Sequence, residues 1–127
     1  MSDLIRSLKQ SHDSKSLAML DILRALVAFG GSLWGSEIPD TVSQLHVEGL
    51  SYELSKKLIE SALKELASAG VVSVEKAKRA TEKGAEDDVL VRLRDDRVRV
   101  ELSGDPVLAK YFAYLSKITS SNYSASE

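Results

Sequence analysis

From Leu17 the apolar positions recur at helical spacing. Met19, Leu20, Ile22, Leu23, Leu26, Val27 and Phe29 cover about half the circumference of a helix and leave Asp21 and Arg24 outside. So wide a face predicts a central core helix, capped by Ser14 or Ser16 and stopped at Gly30-Gly31, whose backbone reaches left-handed conformations. Leu33-Trp34 predicts a short strand. A second, shorter helix is expected from a Ser36 cap through Pro39, with Ile38, Val42 and Leu45 inward and Gly49 past its end. Ser51 is the expected N-cap of a long third helix, where Leu54, Leu58, Ile59, Ala62, Leu63 and Leu66 form one apolar stripe ending at Gly70.

Past Gly70 the period changes to two. Val71-Val72-Ser73-Val74 predicts one strand and 89–94 the next. The polar connection 75–88, expected to be a loop that stays mobile unless a partner orders it, carries Lys76, Lys78, Arg79 and Lys83 ahead of Glu86-Asp87-Asp88, so its charge is divided lengthwise. A two-residue turn at Asp95-Asp96 would fold 89–102 into a hairpin. Val89, Val91, Leu93, Val98, Val100 and Leu102 would then share one face, with Arg92, Arg94, Arg97 and Arg99 on the other. Four grouped arginines imply an anionic partner, or neutralisation by Asp95, Asp96, Glu101 or the acidic end of the connection.

Asp105-Pro106 opens a last helix, with the acid as cap and proline in the first turn. Its broad arc of Val107, Leu108, Tyr111, Phe112, Tyr114, Leu115 and Ile118 lies opposite Lys110 and Lys117. Either it completes a dimer through Leu108, Tyr111, Phe112, Leu115 and Ile118, or it caps its own core. Leu4, Ile5 and Leu8 suffice for a helical turn or two that could join the same interface. The expected organisation is a short extension over 1–13, a domain over 14–104, a C-terminal helix over 105–118 and a polar tail without fixed structure over 119–127. The expected class is α+β, with a three-helix core, a small antiparallel sheet and an extra C-terminal helix.

Composition narrows the partners. At 127 residues, with 43% hydrophobic and 28% charged residues, the chain is expected to form a single folded domain. The absence of cysteine removes disulfides and thiolate metal sites and fits an intracellular protein. No apolar run approaches the roughly 20 residues that span a bilayer, and Met-Ser-Asp lacks a basic leader, so a cytoplasmic protein with no membrane contact is expected. One asparagine, two glutamines and many charges form a mix seen in proteins from hot habitats. With 17 basic and 19 acidic residues the net charge is −2, so any nucleic-acid affinity requires positive charge gathered on one face. His12 and His46 stand apart, without a His-x-x-x-His pair, a Gly-x-Ser-x-Gly turn or a phosphate-binding glycine loop. No catalytic residue, metal ligand or cofactor is expected.

The order of wide helix, short strand, short helix, long helix and strand pair over Leu17 to Leu102 resembles the winged-helix superfamily, especially small archaeal and bacterial transcription regulators of the MarR or PadR type. The resemblance implies a winged helix-turn-helix fold, binding of double-stranded DNA, and dimerisation through terminal helices. It matches Tyr52, Lys56 and Lys57 to positions entering the major groove, and Lys76, Lys78 and Arg79 to the wing. Lys64 and the four arginines Arg92, Arg94, Arg97 and Arg99 extend the expected DNA-binding set. The third helix also places Glu53 with Lys57, and Glu60 with Lys64, at i,i+4, which would make this face a solvated row of local ion pairs instead. A second kind of winged helix docks proteins rather than DNA, resembling modules of transcription-initiation factors, polymerase subunits and chromosome-segregation complexes.

Overall fold

A computed structural model describes the backbone of residues 2–125 and the side chains of residues 4–119. Among them are six α-helices and a three-stranded antiparallel sheet, so the chain is α+β. Helix α1 (Ser2–Gln10) and helix α2 (Ser14–Ala28) lead to strand β1 (Ser32–Trp34), a short 3-10 turn and helix α3 (Ile38–Leu45). Helix α4 (Lys56–Ser68) precedes strands β2 (Val72–Thr81) and β3 (Gly84–Leu93), and helices α5 (Arg97–Glu101) and α6 (Pro106–Ala125) close the series.

Helix α2 is the centre. It contacts α1, α3, α4, α5 and β3, and every residue from Ala18 to Leu26 is buried, Asp21 and Arg24 included. The expectation that those two charges face solvent is therefore corrected: the helix has neighbours on all sides, and its polar stripe faces protein. Its N-cap is Asp13, whose carboxylate accepts the Ser16 amide at 3.1 Å, rather than Ser14 or Ser16. At the other end Gly31 N–H donates to Leu26 O at 2.7 Å across Gly30 and Gly31, both at φ 92°. That bond closes the helix as a Schellman turn. The Gly31 position is also crowded, since a Cβ there would stand 2.5 Å from Arg99 Nη2.

Strand β1 and the inward set Ile38, Val42 and Leu45 form as expected. Ser36, expected to cap α3, instead donates to Asp88 Oδ2 at 2.5 Å, and the helix starts at Ile38 behind Glu37. Helix α4 starts four residues later than expected. Ser55, not Ser51, caps it, accepting the Leu58 amide at 3.1 Å. Both serines precede an apolar residue by three; the choice is made by Tyr52, whose hydroxyl is held on Asp21 and so keeps 51–54 outside the helix. Replacing Ser55 by Ala is expected to cost about 1 kcal/mol of stability, and replacing Ser51 nothing measurable, in parallel thermal melts. The apolar stripe ends as Ile59, Ala62, Leu63 and Leu66 in the core, and Val71 N–H on Leu66 O with Gly70 N–H on Ala67 O completes a second Schellman turn.

The sheet order is β1-β3-β2, with Leu33 opposite Val91 and Val72 opposite Leu93. Two expectations fail here. The segment 75–88 is not a loop: β2 and β3 run to a two-residue turn at Glu82-Lys83, followed by Gly84 at φ 109°. Its divided charge is what pairs it, because folding the basic half onto the acidic half sets Lys78 opposite Asp87 and Arg79 opposite Glu86. The hairpin expected at Asp95-Asp96 does not exist either. Strand β3 already has a neighbour on each side, so 97–102 cannot pair back onto it and coils into α5, burying Val98 and Leu102 at i,i+4 and leaving Val100 72% exposed.

The ends also differ from expectation. Helix α1 is part of the core, with Ile5 and Leu8 buried, where only a turn or two and no core helix was expected, and these two side chains are not free to join an interface. Helix α6 continues beyond 118 to Ala125; Ser126 and Glu127, expected to be unstructured, lie outside the described residues. Asp105 caps α6 through the Leu108 amide at 3.1 Å, as expected. Leu108 and Tyr111, expected at a dimer interface, are instead buried in their own chain, Tyr111 with its ring centroid 5.9 Å from that of Phe29. Phe112, Leu115 and Ile118 are exposed.

Candidate nucleic-acid interface

Between α4 and the β2–β3 hairpin lies an open cleft of about 1140 Å³. Its α4 wall runs from Lys56 to Ala67 and its β2 wall from Val74 to Arg79, with Gly35, Ser36 and Pro39 also in its lining. Ile59, Leu63, Val74 and Val89 are the large aliphatic side chains of its lining. Five of the expected DNA-binding cations, Lys56, Lys64, Lys76, Lys78 and Arg79, line it together.

They are not equally free. Lys78 is paired with Asp87, and Arg79 approaches Asp88 at 3.9 Å while donating to Ser36 Oγ at 2.8 Å. Ser36 in turn holds Asp88, whose carboxyl, raised by burial, is carried below its ordinary range by bonds from Ser36 and Val89. Hairpin-borne acids thus take two of the three β2 cations Lys76, Lys78 and Arg79. Lys56, Lys57, Lys64 and Lys76 have no ion-pair partner among the described residues. Neither i,i+4 pair anticipated on this helix forms: Glu53 precedes the helix, and Glu60 and Lys64 make no ion pair; Glu65 instead meets Lys15 at 3.0 Å. Lys57 is exposed outside the cleft.

The other expected site residues are dispersed. Tyr52 does not sit on α4: its hydroxyl donates to Asp21 Oδ2 at 2.7 Å, and burial beside that carboxylate pushes its own proton affinity well above the ordinary range. The arginine face does not form, because 97–101 is helical. Arg92 stands on β3 opposite Ser32 and Ser73, and Arg94 N–H bonds Val71 O at 2.8 Å. Arg97 forks onto Asp95 at 3.1 and 3.0 Å, and Arg99 lies 3.8 Å from Asp96. Local acids serve the last two, one of the alternatives left open by the sequence.

A buried polar cluster went unnoticed in the sequence. Arg24 donates to both oxygens of Asp105 at 2.9 Å and to Asp21 Oδ1 at 2.9 Å, with Asp21 and Asp105 each 1% exposed and Arg24 9%. His46 Nε2 lies 2.8 Å from Asp21 Oδ1, and Lys9 Nζ lies 3.2 Å from Asp105. One signal was available: from Leu17 to Phe29 the only charged residues are Asp21 and Arg24, so in a buried helix that pair requires partners. The cluster ties α1, α2, the α3–α4 connection and the start of α6 together. It therefore sets where α4 begins. Burial raises the Asp21 carboxyl, but bonds from His46, Tyr52 and Arg24 outweigh it and hold it below the ordinary range. Asp105 is likewise raised by burial and carried below by Arg24.

Both carboxyls are depressed in the folded state, so their contribution is present above the unfolded value of about 3.9 and lost as pH falls below it. The urea midpoint is expected to be level from pH 7 to about 5 and to drop as pH falls past about 4. A midpoint unchanged to lower pH would separate these carboxylates from stability. Among the described residues no group of three His, Asp or Glu side chains is placed to hold a metal ion, and no helix is long and apolar enough to cross a membrane. No family model, curated protein or solved structure matches this chain.

Proposed function

We propose that this chain is a winged helix-turn-helix protein that binds double-stranded DNA in the cytoplasm, as a dimeric transcription regulator. The observation that carries the reading is topological. Elements α2, β1, α3, α4, β2 and β3 follow one another with sheet order β1-β3-β2, which sets α4 beside a long hairpin. In this reading α3 and α4 are the helix-turn-helix, α4 enters the major groove, and the hairpin is the wing. Lys56, Lys57, Lys64 and Lys76 are the cations available for phosphate. The exposed Phe112, Leu115 and Ile118 of α6 support the dimer, since a helix face of this kind is covered in a partnered state.

Fluorescence anisotropy with mixed-sequence duplex at two salt concentrations, with the mass in solution recorded, tests both parts. Binding that falls steeply with salt, together with a dimer mass that Phe112→Ser with Leu115→Ser halves, supports the regulator. No binding at low salt overturns it. A second reading, a winged helix that docks proteins, is favoured by one observation: the wing cations Lys78 and Arg79 are matched by acids of their own hairpin, in a chain of net charge −2.

A further inference from the structure

The strand order leaves β2 at an edge. Among the described residues, no backbone group of 73–81 bonds to another backbone group outside the hairpin, so the groups of this stretch that point away from β3 form an open row of donors and acceptors. Such an edge accepts an added strand. Beside it lies the cleft, with Ile59, Leu63 and Val74 apolar and the unpaired Lys56, Lys64 and Lys76 among them. Five cations against the four acids Glu60, Glu86, Asp87 and Asp88 leave the lining one charge positive on a chain that is negative overall.

We propose that this cleft docks an extended segment of a partner protein that adds to the β2 edge and carries two acidic residues four apart with an apolar residue midway. The spacing follows from the two walls. Lys56 and Lys64 are eight residues apart, about 12 Å along the helix, and acids four apart in a strand are separated by about 13 Å. All three side chains of the segment point the same way, because strand side chains alternate. The midway residue then meets Ile59, Leu63 and Val74 while each acid meets a lysine. A second copy of this chain is a poor occupant, because pairing two β2 edges brings Lys76 and Lys78 against their own kind. The site does not depend on duplex binding, which the anisotropy titration examines separately.

The test is a titration of the ¹⁵N-labelled full chain with the blocked nonapeptide Ser-Thr-Glu-Thr-Val-Thr-Glu-Thr-Ser, against the same peptide with Lys for Glu. The acidic peptide is expected to shift the amides of 73–81 and of Ile59 and Leu63, and to slow hydrogen exchange along β2. Lys56→Glu with Lys64→Glu, whose spectrum away from the cleft serves as the check on folding, is expected to weaken binding about tenfold or more, as two charge contacts are lost. Equal binding of the lysine peptide, or shifts confined to α6, overturns the proposal. So does a short duplex that moves these amides when the acidic peptide does not, which assigns the cleft to nucleic acid.

Discussion

Arg24→Ala is expected to destabilise the protein by about 3–5 kcal/mol, because it strips a buried cation from two buried carboxylates. Asp105 loses both bonds of its fork and Asp21 loses one, and neither has water to turn to at 1% exposure. His46 and Tyr52 remain on Asp21, and Lys9 on Asp105, so the two acids are not left equally bare. Against a total of about 5–15 kcal/mol the loss is a large share, and the urea midpoint falls by about 2 M at an ordinary slope. Arg24→Lys restores a charge but not the planar fork, and is expected to recover only part. Arg97→Ala is the control, since Arg97 reaches only the adjacent Asp95 on the surface and its removal leaves the midpoint unchanged. Equal midpoints for Arg24→Ala and Arg97→Ala would show that the cluster carries no stability.

Replacing Lys56, Lys57 and Lys64 together by Ser is expected to weaken duplex binding by roughly a few hundredfold near 0.1 M salt. The figure follows from counterion release: each neutralised phosphate contributes about 0.9 to the slope of log K against log salt, close to eightfold at that concentration. The salt slope of the triple variant is then shallower by about 2.7. All three lysines are exposed and none is ion-paired among the described residues, so the fold is expected to survive. Lys78→Ser and Arg79→Ser are expected to change binding less, because their charges are already met by Asp87 and Asp88. Equal slopes for the wild type and the triple variant would take α4 out of the interface.

The order of elements from α2 to β3 was legible in the sequence because it rests on local periodicity. Ile38, Val42 and Leu45, or Ile59, Ala62, Leu63 and Leu66, can be buried together only on a helix of one phase, and Gly30-Gly31 and Gly70 end their helices through bonds made within a few residues. The candidate site was legible in part. Lys56, Lys64, Lys76, Lys78 and Arg79 do meet in one cleft, but their pairing depends on a strand register that charge division alone only hinted at. Ser51 was the expected cap, but Ser55 caps α4, and a hydroxyl contact between Tyr52 and Asp21, 31 residues apart, holds 51–54 outside the helix.

By itself, then, the sequence determined the helices with a strong apolar face, their glycine stops and the α+β class, since each is a property of neighbours in the chain. Tertiary structure decided the rest. It buried Asp21 and Arg24 because α2 is surrounded, and it turned 97–101 from an expected strand into a helix because β3 already had two neighbours. It also dispersed the four arginines, and drew Leu108 and Tyr111 inward while leaving Phe112, Leu115 and Ile118 in solvent. The physical reason is common to all of these: a charge or an apolar side chain takes its state from whichever distant surface packs against it, and local spacing does not encode that surface.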